Sequence, residues 1–226
     1  MKLIATILIL TAPLVSAESH DELIDRAFAS IEDNPRERWS FTRADSDAES
    51  TSVGHFDPRL TTARQWTLVS IDGRAPNADE VETYRNQRES EEKDESDDTE
   101  DYQSIMKEGS VALIDETEEF WLFSFQPVGD TPEDEEFMAH VDGTLKIVKD
   151  GEFVAHITLQ NSETIKPGAG VKIHEFFTLM EFAPSQPDGI VLLTSMQLSV
   201  KGKAMFVVKI DESETITWSG YERVLN

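Results

Sequence analysis

The side chains that could do acid–base or metal chemistry are few in kind and poorly spaced for it. Five histidines (His20, His55, His140, His156 and His174) are scattered along 226 residues. No two stand at i, i+2 or i, i+4, so no single helix or strand aims an imidazole pair at a zinc ion. The chain has no cysteine, which removes thiol nucleophiles, iron–sulfur ligation and cysteine zinc sites. His156 and His174 fall on neighbouring predicted strands and could approach one another, but a surface or half-buried histidine is the plainer account of each. The sequence contains no Gly-x-Ser-x-Gly elbow, no phosphate-cradling glycine loop and no dinucleotide fingerprint. With 45 Asp and Glu against 20 Lys and Arg, two carboxylates near each other carry no information about general acid–base work. The expectation is a protein that is not an enzyme and uses no cofactor and no metal.

The acids are concentrated in one stretch. Arg88 to Asp101 holds nine of them with one Lys and no apolar residue. Such a block has nothing to bury and repels itself, so it predicts a solvated loop over about 88–101. It lacks the Gly and Glu spacing of an EF-hand calcium loop. A net charge of −25 makes nucleic acid a poor partner, because phosphate binding needs a basic footprint, and it repels anionic membrane surfaces. The charge serves solubility, or it attracts a basic partner.

The other chemistry-bearing group is apolar. The aromatic residues are many for one domain, and they recur in alternating runs. Packing under helices is one use for them. The other is a ligand cavity, since such pockets are mostly apolar with a few polar anchors, and methionine adapts to irregular shapes. The candidate lining is Trp39, Phe41, Trp66, Trp121, Phe123, Phe125, Phe177, Met196 and Met205.

These residues need elements to position them. Ser19 to Glu22 is a capping box, and Leu23, Ile24, Ala27, Phe28 and Ile31 form one helical stripe, predicting a helix over 21–32 that Asn34-Pro35 ends. Residues 38–43, 50–57 and 65–71 read as three strands, the last closed by Asp72-Gly73. Pro76 to Glu80 opens a second helix, capped by Asn77 or Asp79, with Val81 and Tyr84 inward. From Ser110 the chain reads as nearly all strand. Lys149-Asp150-Gly151 marks a hairpin whose second strand puts Phe153, Ala155, Ile157 and Leu159 on one face. Further strands follow at 172–182 and 190–200. Turns are expected at Gly202 and at Asp211 to Glu214, the latter before a last strand over 215–224. An antiparallel meander of this length curls and needs cover for its apolar face. The fold class expected is α+β: a single strongly curved antiparallel sheet, an open half-barrel, with helices covering the concave face.

The N-terminus reads as an export signal. Lys2 precedes the apolar run Leu3 to Leu10, and Val15-Ser16-Ala17 offers small residues at a cleavage site after Ala17. The run is shorter than the roughly 20 apolar residues a spanning helix needs. The domain expectation is therefore a signal peptide over 1–17 and one half-barrel domain over 18–226, periplasmic and not an integral membrane protein. Without disulfides, stability must come from packing.

The order of helix, three strands, inserted helices and long meander resembles the periplasmic lipoprotein-carrier (outer-membrane lipoprotein-sorting) half-barrel superfamily. The strings Gln65-Trp66-Thr67-Leu68, Asp72-Gly73-Arg74-Ala75-Pro76 and Met205-Phe206-Val207-Val208-Lys209-Ile210-Asp211-Glu212 are similar to a periplasmic branch with that architecture. The resemblance implies a concave apolar face that binds acyl chains of lipoproteins or other lipids, and a helical lid that moves to admit them. It also implies an arginine in the cavity. Arg38 and Arg43 both stand on the first predicted strand, and the local motif singles out neither. The function expected is a binding or carrier protein for a lipid or acyl chain, with a lipid or an acylated protein as partner. The alternative is an envelope scaffold that docks a basic partner through its acidic surface, without a small ligand.

Overall fold

The computed structural model describes residues 20–32, 34–95, 102–168, 170–186, 188–205 and 208–224. The expected signal peptide, Ser19 of the capping box, and residues 96–101 of the acidic stretch lie outside the described residues. The chain begins with helix α1 (His20–Ala29) and the short turn α2 (Pro35–Arg38). Strands β1 (Trp39–Asp47) and β2 (Thr51–Phe56) follow, then the turn α3 (Thr62–Gln65), strand β3 (Trp66–Ile71) and helix α4 (Ala78–Glu95). The second half has β4 (Ala112–Glu116), β5 (Phe120–Phe125), helix α5 (Pro132–Met138), β6 (Val141–Val148), β7 (Phe153–Asn161), β8 (Val171–Pro184), β9 (Val191–Ala204) and β10 (Val208–Arg223).

All ten strands join one open antiparallel sheet in the order β3-β2-β1-β10-β9-β8-β7-β6-β5-β4. The last strand closes back beside the first, so both halves of the chain share one ladder. Because side chains alternate across a strand, register fixes which residues share a face. One transverse row takes a residue from every strand: Leu113, Phe123, Leu145, Ile157, Met180, Met196, Ile216, Asp45, Ser52 and Ile71.

Both long helices lie on the face that this row defines. The α1 stripe of Leu23, Ile24, Ala27 and Phe28 packs into a core with Phe123, Phe125, Leu145, Ile147, Val154, Ile157 and Leu159. At the other end of the sheet Tyr84 of α4 packs with Trp39, Phe41, Phe56, Trp66 and Leu68. The chain leaving α1 pairs with the start of β9. Ile31 bridges Val191 in parallel, and the Val191 amide donates to the Ser30 carbonyl at 3.0 Å.

Five local readings need correction. Helix α4 continues through Arg88 to Glu95, where a loop was expected; Arg88 and Glu91 tie its second half to the sheet and offset the repulsion among its acids. The end of β9 runs past Gly202 to Ala204, and Asp211 to Glu214 form no turn. They sit inside the 16-residue β10, each paired with a residue of β9 from Lys201 to Leu198. Val154, not Phe153, enters the core, because a bulge at Lys146/Ile147 shifts the register of β7. Helix α5 interrupts the expected run of strands, capped by Thr131, whose hydroxyl accepts the Asp134 amide at 3.2 Å.

Candidate functional site

Helix α4 starts from a capping box. Asn77 Oδ1 accepts the Glu80 amide at 3.0 Å, and Glu80 Oε2 accepts the Asn77 amide at 2.8 Å. Arg74 adds a bidentate pair to Glu80 at 2.6 and 2.9 Å. The Arg74 guanidinium, and then the Asn77 amide, hold the Glu80 carboxyl down at about 2.

One and two turns along the helix, Tyr84 and Arg88 press onto the sheet. Arg88, 3 % exposed, donates to Asp45 Oδ2 at 2.6 Å and to Glu91 Oε2 at 2.5 Å. Its guanidinium carbon lies 4.8 Å from the Tyr84 ring centroid and 5.6 Å from that of Trp66. Arg43, two residues before Asp45 on the same face of β1, donates Nε to Asp45 Oδ1 at 2.8 Å, reaches Glu91 at 3.6 Å and stacks 5.6 Å from Trp218. Two arginines and two carboxylates thus neutralise one another beneath the helix, where an unpaired charge would be costly. Burial pushes the Tyr84 phenol up, so it stays protonated.

The helix-covered face does not end at the two cores. On β8, Phe176, Thr178 and Met180 stand opposite Val200, Leu198 and Met196 of β9. These in turn face Glu212, Glu214 and Ile216 of β10. Phe176, Met196, Leu198, Val200, Ile210 and Ile216 are all half-buried. The strip is bounded at one side by Phe137 of α5, edge-on to Phe176 at 5.1 Å between ring centroids. At the other side stand Glu212, Glu214 and Asp47, the last two directly opposed. Chemically this is an apolar lane with a carboxylate border.

The nine residues proposed from the sequence do not form one lining. Trp39, Phe41 and Trp66 are buried in the core under α4, and Phe123 and Phe125 in the core under α1. Trp121 is half-buried near the sheet edge; its indole donates to Glu116 at 3.1 Å, and Lys149 lies 4.7 Å from its ring centroid. Phe177 belongs to the opposite face, beside Ser199 and Gln160. Met205 is 75 % exposed in the β9–β10 turn, with φ of 47°. Met196 alone lies in the half-buried strip. Leu198, Val200 and Ile216, none of them among the nine, lie beside Met196 in the strip, and their period-two spacing in adjacent strands is the sequence signal for that face.

The histidines are apart. His156 faces Glu181 on β8, whereas His174 lies at a bulge near the far end of that strand. Among the described residues no cluster of three or more His, Asp or Glu could hold a metal ion, and no helix is long and apolar enough to cross a membrane. Comparison with family models, with curated proteins and with solved structures returned no match.

Proposed function

We propose that the protein is a periplasmic binding or carrier protein for an apolar ligand, a lipid or an acyl chain, held against the helix-covered face of the sheet. In this reading the sheet bends as an open half-barrel, that face is its concave side, and α1 and α4 are its covers. One observation carries the reading: the strip Phe176, Met196, Leu198, Val200 and Ile216 continues the two closed cores but is itself half-buried. Covering apolar surface gains about 25 cal/mol per Å², so an acyl chain laid along five such side chains has a real driving force. The Arg43–Asp45–Arg88–Glu91 cluster supports the reading too, because it fixes α4 at one border of the strip without filling the strip.

The test is organic extraction of protein purified from the periplasm, followed by lipid mass spectrometry and displacement of a fluorescent acyl probe. The reading expects co-purified lipid, or saturable probe binding that substitution of Leu198 by Asp abolishes. Protein that carries nothing and displaces nothing contradicts it.

A further inference from the structure

The start of β8 and the end of β9 carry a feature that the apolar strip does not use. Register places Lys172 directly opposite Lys203, and Lys203 directly opposite Lys209, so three ammonium groups form a transverse row on the face away from the helices. Like charges directly opposed across strands destabilise a sheet. In the neighbouring row the arrangement is the reverse: Lys201 pairs with Glu175 at 2.7 Å. Lys209 is neutralised by Asp211. Lys172 and Lys203 have no ion-pair partner among the described residues, although the chain holds 45 acids against 20 bases.

A cavity of about 260 Å³ opens at this point, lined by Gly170, Lys172, His174 and Lys203. Two backbone features shape it. Gly170 has φ of +85°, a conformation that suits glycine and leaves that wall without a side chain. His174 sits in the bulge between Ile173 and Glu175, which breaks the alternation of β8 and re-aims its ring. Its Nδ1 is 3.4 Å from Thr164 Oγ1, and Nε2 has no hydrogen-bond partner among the described residues.

We propose that this cavity is a binding site for a phosphate-class anion, held by Lys172 and Lys203 as point charges and by His174 Nε2 as a hydrogen-bond donor. The anion resolves the repulsion of the lysine row, and the excess negative charge of the chain disfavours anion binding away from such basic clusters. Inorganic phosphate and the headgroup of an acidic phospholipid present the same chemistry. The site is separate from the apolar strip and stands or falls without it.

The test follows the histidine ring resonances of the full-length mature protein by NMR at low salt. Inorganic phosphate, titrated to about 10 mM, is expected to move the His174 signals saturably and to leave those of His140, which pairs with Glu163 at 2.9 Å, in place. Chloride at equal ionic strength should not reproduce the shift. K172Q and K203Q, both at exposed positions, should each weaken the response about tenfold. In a parallel arm, vesicles of phosphatidylglycerol and phosphatidylcholine in equal parts are compared with pure phosphatidylcholine. Co-sedimentation with the acidic vesicles alone, lost in K172Q/K203Q, makes the source a lipid headgroup. A saturable phosphate response without vesicle binding makes it a soluble phosphate compound. No saturable shift and no selective co-sedimentation, or an unchanged response in K172Q/K203Q, overturns the proposal.

Discussion

The Arg88 guanidinium of α4 reaches Asp45 of β1 across 43 positions of sequence at 2.6 Å. With the packing of Tyr84 and Val81 into the adjoining core, it joins an acidic helix to the sheet. Asp45 is gripped from its other oxygen by Arg43, so neither arginine alone carries the carboxylate.

Replacing Arg88 by Met should therefore cost about 3 kcal/mol in urea unfolding, near the lower bound for breaking a buried pair, because Arg43 still compensates Asp45. Hydrogen exchange should show the amides of α4 losing protection before those of β1. Unchanged protection in α4 would show that the helix is held without Arg88, by Tyr84, Val81 and the Arg43–Glu91 contact.

Gly54 lies beneath Tyr84, and a Cβ there would stand 2.7 Å from Tyr84 Cζ and closer still to its hydroxyl. Gly54→Ala should destabilise by about 1–3 kcal/mol through overpacking. The Tyr84 hydroxyl is buried without a hydrogen-bond partner among the described residues, so Tyr84→Phe alone should be close to neutral. The double variant should recover part of the loss. A double-mutant cycle with no coupling would contradict the close approach.

The cap of α4 gives a third prediction. Asn77→Ala should cost about 1 kcal/mol. Arg74 and Asn77 hold Glu80 at about 2. A carboxylate depressed on folding stabilises above its unfolded value, and that contribution fades as pH falls toward 2. Acid titration of Glu80 by carbon-13 NMR should show an ionised carboxylate at pH 3.5. A midpoint above 4 would contradict the geometry.

His156 shifts stability in the same sense as Glu80, but at higher pH. Burial first, and then Lys146 across the ladder, depress it below 6.5, against the opposing pull of Glu181. The unfolded chain then binds a proton that the folded chain refuses, so stability declines as pH drops from 6.5 toward the folded value and levels off below it. Thermal unfolding of His156→Gln should lack that decline. The same slope in the variant and the parent would exclude His156 as its source.

Much of the fold was legible where local signals and burial agree. The α1 stripe, the β1–β3 strands and the Asn77 cap all express themselves within a few residues. Thr131-Pro132-Glu133 also announces a helix start, and that signal was overlooked. What could not be read locally depends on partners far away. Arg88 is helical because Asp45 awaits it on another element. Asp211 to Glu214 look like a turn until Lys201 to Leu198 lie beside them. Val154 replaces Phe153 in the core because of a bulge in the ladder. The candidate lining divided for the same reason: large aromatics were chosen by type, and sheet register distributed them among two cores, an edge, the opposite face and a turn.

The most direct test of apolar-ligand binding uses Trp218, half-buried two residues from Ile216 on the strip's face, while Trp39 and Trp66 are sealed under α4 and Trp121 lies near the far edge. Tryptophan emission is measured as a neutral brominated acyl glycerol is added, in the parent protein, in Trp218→Phe and in Leu198→Asp. The account predicts saturable quenching in the parent, most of it gone in Trp218→Phe, and none in Leu198→Asp. Emission unaffected by the brominated chain, or quenching equally strong in all three proteins, would contradict it.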